Sequence, residues 1–381
     1  MSEPGKRRRL EEKRAHLVDA LKFRQWLTEV LTRRGFDDDE ASAAAQWAAT
    51  TASFEVETHG ARKLLSLLDH EFAHGETCVP RAQHETLISL PSLEVWDGHK
   101  KLGPAIASLA QARSVEMAKG AGMGMVFVRN CNHFGWGPAY ALEHLTDDLL
   151  LGNLTQGAIP IVTPLGGSTA TMGSNAVAVA CATGVEGDPT FLWDTGTAAM
   201  SWGEVQKLRL ENTPLRPGAA VDARGEPTVQ ASDAASLLPA GTIGNALGML
   251  IELLSANVGA GDPRARSVPP EEVPAGEPTT CVFVFFAIHL AAFEALSFPS
   301  GRSRMENVAR MVTSILKGNG DARMVGLRKW RAKERSEEHG GLLFAPESIA
   351  AFRAEASARG VPFCDAPETG VAFEPVEVAS K

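Results

Sequence analysis

Apolar and polar positions along this chain repeat at two periods, and the places where one period gives way to the other divide it into helices and strands. From Arg14 to Arg34, the residues Leu17, Leu21, Phe23, Trp26, Leu27, Val30 and Leu31 recur at near-helical spacing, with Gly35 as a stop. The acidic run Asp37-Asp38-Asp39-Glu40 predicts a second helix, because negative charge complements the exposed N–H groups of a helix start. A third is predicted from about Ala61 to His74, ended by Gly75, and a fourth from Pro104 to Lys119. Gly120, Gly122 and Gly124 then turn the chain into Met125-Val126-Phe127-Val128, a short buried strand.

The middle third alternates apolar runs with glycine-rich turns. Leu149 to Leu154, Ala176 to Ala182 and Phe191 to Trp193 suit strands of an internal sheet. Asp222 to Asp233 reads as an excursion loop before a helix at Ala246 to Ala256. The Pro/Gly/Glu-rich stretch from Gly259 to Pro278 is the candidate mobile lid. A strand from Cys281 to Leu290 and helices from Arg302 to Lys317 and Pro346 to Arg359 complete an α/β pattern. No GxGxxG follows a strand and opens a helix. Gly120-Ala121-Gly122-Met123-Gly124 precedes its strand, so a phosphate-cradling Rossmann turn is not expected.

Composition narrows the function classes. With 381 residues, 44% of them hydrophobic, the chain can bury a sizeable core. A net charge of -9 opposes general affinity for nucleic acid, which needs a basic footprint. The basic run Lys6-Arg7-Arg8-Arg9, followed by Glu11 and Glu12, reads as part of a solvated tail over residues 1–14. No stretch approaches the roughly eighteen apolar residues of a membrane span, and no secretory signal opens the chain. Cys78, Cys131, Cys181, Cys281 and Cys364 are odd in number and scattered, which points to reduced thiols in the cytoplasm and to no zinc knuckle.

Two patterns carry candidate chemistry. His70-Glu71-Phe72-Ala73-His74 spells HExxH, which on a helix sets two imidazoles on one face with a glutamate able to activate water. A zinc hydrolase using His70, Glu71 and His74 is therefore an alternative reading. It needs a third ligand, for which His84 is a loose candidate, and Gly75 puts His74 in a last turn. The other pattern is Val128-Arg129-Asn130-Cys131-Asn132-His133-Phe134-Gly135, which follows a predicted strand. A histidine titrating near neutrality can donate or accept a proton in acid/base chemistry. Ser174 lies in no nucleophile elbow. Glu143, His144, Asp147, Asp148, Glu337, Glu338 and His339 read as solvated charge, and Trp193 and Trp202 as packing aromatics.

The second pattern resembles the V-R-N-S-N-H-F-G signature of the malate/L-lactate dehydrogenase family. Thr58-His59-Gly60, with Lys63 after it, resembles that family's S-H-G-x-x-R, and Val95-Trp96-Asp97-Gly98 its V-D-G. Pro164-Leu165-Gly166-Gly167 and Gly173-Ser174-Asn175-Ala176 resemble its P-x-G-G and G-T-N-P, and Asp194-Thr195-Gly196-Thr197 its D-M-A-T. The resemblance runs from about Leu17 to Pro362. It implies the family's own α/β fold in two lobes. Residues 15–120 and 290–375 would form a helical substrate lobe from both chain ends, and residues 121–289 a discontinuous NAD(P) lobe.

By the same resemblance, His133 is the acid/base histidine and His59 a second catalytic candidate. Lys63, Arg62, Asn132 and Thr242 would bind a small carboxylate-bearing substrate. Ser174, Asn175, Asp194, Thr195, Gly196 and Thr197 would line NAD or NADP, and the protein would be a homodimer without nucleic-acid or membrane partners. The reaction implied is hydride transfer to a 2-oxo acid or cyclic 2-imino acid.

Departures cluster where ligand would touch. The family's G-H-K-G reads Ala240-Gly241-Thr242-Ile243-Gly244-Asn245, so its histidine and lysine are missing. Lys63 replaces a planar arginine. After Asp194, the family's R-G-K reads Trp202-Gly203-Glu204. Fewer cations make the extra phosphate of NADPH less welcome, so NADH is the expected cofactor. They also keep open a protein of this fold that binds a small acid without redox chemistry.

Overall fold

The computed structural model describes residues 14–69, 78–185, 190–260, 280–318 and 320–373. The HExxH motif, nearly all of the candidate lid and residues 1–13 of the basic tail lie outside them.

The first element corrects the sequence reading. Arg14–Val18 is a strand, β1, and the helix α1 begins only at Ala20, running to Arg33. Asp19 caps it by accepting from the Lys22 N–H at 2.8 Å. The strand exists because partners from the far end of the chain complete it: β12 (Leu342–Phe344) and β13 (Glu368–Ala372) both pair with it antiparallel. This three-stranded sheet joins the two chain ends. Phe23, Trp26, Leu27, Val30 and Leu31 bury the inner face of α1.

Helix α2 (Asp38–Ser53) opens with the acidic run as expected. Asp37 and Glu40 form a reciprocal capping box, Glu40 accepting from the Asp37 N–H and Asp37 from the Glu40 N–H. Helix α3 is described over Ala61–Asp69. The larger sheet starts with β2 (Glu85–Leu90) and β3 (Leu93–Asp97); α4 (Gly103–Ala121) then ends at Gly122, whose φ of 87° only glycine adopts cheaply. It leads into β4 (Met123–Cys131), the short helix α5 (Pro138–Leu142), β5 (Leu149–Gln156), β6 (Ala176–Cys181) and β7 (Phe191–Gly196).

Beyond β7 come α6 (Trp202–Leu210), three two-residue strands, β8 (Ala220–Val221), β9 (Pro227–Thr228) and β10 (Ser236–Leu237), and α7 (Gly241–Asn257). The predicted excursion loop is thus partly a small hairpin. β11 (Cys281–His289), α8 (Arg304–Leu316), α9 (Leu327–Glu338) and α10 (Pro346–Arg359) follow. Helix α9 was not expected from the sequence. Of its residues only Ala332 and Ser336 are buried, so no apolar stripe marks it.

The large sheet has the order β2-β3-β4-β11-β5-β6-β7. Only β3 and β4 are parallel, linked through α4; every other neighbour pair is antiparallel. The mixed α/β class holds, but the sheet is not doubly wound. Its register aligns Cys131 with Cys281, Val282 with Gln156, Thr155 with Ala176 and Ala176 with Gly196. The C-terminal ends of β4, β5 and β7 therefore share one edge. The main core lies between α1, α2, α4 and one sheet face, where Phe134, Tyr140, Phe283 and Phe285 stack edge and face.

Candidate active site

The signature, which begins inside β4 and runs past its end, is locked in place from three sides. Asp97, at the end of β3, accepts from Arg129 Nε at 3.0 Å and from Asn130 Nδ2 at 2.9 Å. Burial alone would raise the Asp97 carboxyl; hydrogen bonds from the His99 N–H, Asn130 and Arg129 carry it below its ordinary value. Phe134 is buried against Phe283, and its carbonyl accepts from the Tyr140 hydroxyl. Gly103 packs so closely that a Cβ there would lie 2.1 Å from the His133 carbonyl oxygen. Gly135, at φ 75°, passes under Trp47 and the His59 carbonyl, where a Cβ would meet Trp47 at 2.0 Å. The V-D-G and signature motifs are thus one device that fixes the His133 backbone.

The two sequence-predicted histidines meet. Their rings lie 6.0 Å apart, centroid to centroid, at an interplanar angle of 16°. His133 Nδ1 accepts the Gly135 N–H at 3.0 Å, so a neutral ring carries its proton on Nε2. His59 Nδ1 lies 2.8 Å from the Thr58 hydroxyl. Both residues are half-buried. Burial pushes His133 down to about 3, with the neighbouring His59 and Lys63 adding to the effect. Burial also lowers His59; Asp194 opposes this, while Lys63 and Lys329 reinforce it. A narrow crevice beside His133 is lined by Trp47, Gly60, Lys63, Leu64, Leu67, Pro104 and Gly135.

Asp194 enters through its neighbours. Its Oδ2 accepts from the Trp136 indole at 2.8 Å and pairs with Lys329 at 2.9 Å. Neither partner was singled out in the sequence. Trp136 sits one residue beyond the signature's last glycine and could have been found by reading one position further. Lys329 belongs to the charged helix α9, and nothing in its surroundings along the chain marks it.

The remaining candidates divide. Lys63 is exposed at the crevice, and Arg62 beside it is half-buried. Asn132 is buried, and its Oδ1 has no hydrogen-bond partner among the described residues; the same holds for Gln156 Oε1 and Thr280 Oγ1, at the same sheet edge. Buried polar atoms are ordinarily satisfied, so this edge fits a ligand that can donate hydrogen bonds. Ser174, Thr195 and Gly196 lie there with accessible surface. Asn175 is already committed, accepting from the Gly157 N–H at 3.0 Å and donating to the Gly248 carbonyl and to Glu252, each at 3.1 Å. Thr197 is buried against Gly248 of α7. These two side chains shape the edge rather than face outward. Thr242 stands exposed in the first turn of α7, and Ile243 is 82% exposed, so neither joins the histidine cluster.

Trp193 is 36% exposed, against the packing expectation, whereas Trp202 is half-buried beneath Arg209 at 5.9 Å. Asp148, read as solvated, anchors the buried Arg304 at 2.9 Å. His84 stacks on Trp96 at 4.3 Å. Among the described residues no group of three His, Cys, Asp or Glu could hold a metal ion.

Comparison with known proteins gives the same pattern. The chain is 28% identical over 247 residues to a malate dehydrogenase of Pyrococcus abyssi, covering 62% of this chain and 67% of that one. It is 27% identical over 199 residues to a 2,3-diketo-L-gulonate reductase of Escherichia coli O1:K1 / APEC, covering 52% of this chain and 58% of that enzyme. Its fold matches sulfolactate dehydrogenase from Methanocaldococcus jannaschii with a TM-score of 0.76 at 22% identity, over 91% of this chain and 98% of the other. It matches delta1-piperideine-2-carboxylate reductase from Pseudomonas syringae pvar. tomato at 0.74 and 21% identity, over 89% and 99%. The malate/L-lactate dehydrogenase family model spans residues 18–351, and this chain accordingly belongs to that family of NAD(P)-dependent oxidoreductases.

Proposed function

We propose that the protein reduces a small carboxylate-bearing ketone or cyclic imine, with His133 and His59 handling the proton. The observation that carries this reading is the near-parallel pair of imidazoles at 6.0 Å, one with its Nδ1 closed by a backbone donor. A bound nicotinamide would supply the hydride, and Ser174, Thr195, Gly196 and the amide of Asn132 are the groups proposed to hold it. His133 starts neutral, with Nε2 protonated and Nδ1 occupied by the Gly135 N–H, so it must give up that contact before it accepts a proton in the oxidative direction. For reduction the ring must first be charged. A substrate carboxylate drawn in by Lys63 supplies the negative neighbour that makes this possible.

NADH is proposed over NADPH, for the missing cations described above. A homodimer is also proposed: α7 leaves Ile243, Met249, Leu250 and Leu253 exposed, an apolar face that a second copy would cover. No helix among the described residues is long and apolar enough to cross a membrane.

The test is a turnover screen of 2-oxo acids and cyclic imines against NADH and NADPH. Nucleotide oxidation with at least one substrate supports the reading. Thermal stabilisation by an acid without nucleotide oxidation would support a binding protein of this fold, and failure to bind either nucleotide at millimolar concentration defeats the oxidoreductase reading.

A further inference from the structure

Asp194 is gripped twice on one oxygen. Oδ2 accepts from the Trp136 indole at 2.8 Å and meets the Lys329 ammonium at 2.9 Å. The Lys329 and Asp194 side chains are 17% and 22% exposed, so the pair is screened far less than an ordinary surface contact. The position of Lys329 is also fixed by backbone. The start of α9 is fastened to β7, the strand that carries Asp194. The Leu192 N–H donates to the Val325 carbonyl at 3.1 Å, and the Trp330 indole donates to the Thr190 carbonyl at 2.8 Å. Gly326, at φ 93°, sits so close to β7 that a Cβ would come within 2.6 Å of the Leu192 carbonyl oxygen. Lys329, in the first turn after that glycine, is thereby delivered to Asp194.

We infer that Lys329 is a positioning residue: by pinning one oxygen of Asp194 it fixes where that carboxylate stands relative to His59, and with it how strongly His59 holds a proton. The inference rests on the proposed reaction for its purpose, though not for its geometry. The groups that bear on His59 come from four places: Asp194 on β7, Lys63 on α3, Lys329 on α9, and the His133 ring after β4. Asp194 is the acidic member of this set and favours the imidazolium. Lys329 acts against it twice, by neutralising part of that carboxylate and by its own repulsion. The start of α7, where the family pattern would set a lysine, here offers Thr242 and Ile243 to solvent. Lys329 returns a positive charge to the cluster from a different element.

Nuclear magnetic resonance titration of the histidine rings in the full chain, without ligand, tests this directly. His59 would be assigned with His59→Gln and the Trp136 indole with Trp136→Phe. Lys329→Met should move the His59 midpoint up and shift the Trp136 indole N–H, and Lys329→Arg should restore both. Asp194→Asn should move the His59 midpoint the opposite way, which keeps the test usable if one variant folds poorly. In turnover, Lys329→Met should lose roughly ten- to a hundredfold in kcat with KM little changed. An unmoved His59 midpoint and indole signal in Lys329→Met would overturn the inference, as would an upward shift in Asp194→Asn. Wild-type protein that oxidises no nicotinamide would sink the proposed reaction alone, since the titration needs no substrate.

Discussion

The backbone N–H of Gly135 donates to Nδ1 of His133 at 3.0 Å, a contact between residues two apart that decides which ring nitrogen is available for chemistry. With Nδ1 occupied as acceptor, Nε2 carries the proton of the neutral ring. A side chain used for proton transfer contributes about a hundred- to ten-thousandfold. His133→Ala is therefore expected to lower kcat at least about a hundredfold, read from nucleotide absorbance under saturating substrate. Near-normal turnover in that variant, with a collapse in His59→Ala, would assign the proton to His59 instead.

Depressed histidines make folding stability depend on pH in a definite direction. His133 lies at about 3 in the folded chain, below its ordinary 6.5, and His59 is lowered as well. Above 6.5 both folded and unfolded chains are neutral there, so neither ring contributes a slope. Below it the unfolded chain takes up protons that the folded chain refuses, and stability falls until the pH reaches the folded value. One such group contributes about 1.4 kcal/mol per pH unit within that window. Melting temperatures measured from pH 7 to pH 4 should fall less steeply for His133→Gln than for the wild type. Parallel curves would show that His133 is not held neutral.

The same depression shapes catalysis. In the oxidative direction His133 stays neutral across the neutral range, so kcat/KM should show no acid limb between pH 5 and pH 7 from this residue. In the reductive direction the protonated ring is scarce in the free enzyme, and kcat/KM should rise as pH falls through that interval. Initial rates measured both ways on one substrate pair check this. An acid limb near 6.5 in oxidation would mean that the ring titrates freely.

Much of this arrangement was legible in the sequence, and the failures have physical causes. The Val128 to Gly135 run could be placed at a strand end because apolar β-branched residues precede it and Gly135 closes it. Helix α2 was visible from Asp37 and Glu40, whose side chains act within one turn. β1 was not, because Arg14 to Val18 becomes a strand only through Leu342, Leu343 and Ala372, far away along the chain. Helix α9 was hidden by its charge, and Lys329 with it. The partnership of Lys329 with Asp194 depends on how α9 seats on β7, which no local pattern records.

Two glycine substitutions separate close packing from mere presence. Gly135→Ala would place a Cβ 2.0 Å from Trp47 Cζ2 at a φ of 75°, and Trp47 is itself held by its indole bond to the Trp136 carbonyl at 3.1 Å. Neither side can yield without moving the His133 segment. A loss of roughly 2–4 kcal/mol and of activity is expected. Gly120→Ala, in the last turn of α4 with open space around it, should be neutral or gain up to about 1 kcal/mol. Denaturant midpoints of the two variants check the contrast; similar values for both would refute it.

Cofactor choice follows from charge. NADPH differs from NADH by a phosphate, and a protein that prefers it must present cations to that group. Past β7 the chain offers Trp202, Gly203 and Glu204 where the family pattern is basic, and Glu204 lies in the first turn of α6, whose N-cap Ser201 accepts its backbone N–H at 3.1 Å. An acid there repels the additional phosphate of NADPH. NADH should bind at least about tenfold more tightly than NADPH, a difference of about 1.4 kcal/mol. Fluorescence titration can read it, because the Trp136 indole donates to Asp194 at 2.8 Å and so sits at the candidate site. Glu204→Lys should narrow the gap by strengthening NADPH binding, most visibly at low salt. If NADPH binds the wild type more tightly, or if Glu204→Lys leaves the ratio unchanged, the charge around α6 does not select the cofactor and the discrimination must come from elsewhere in the chain.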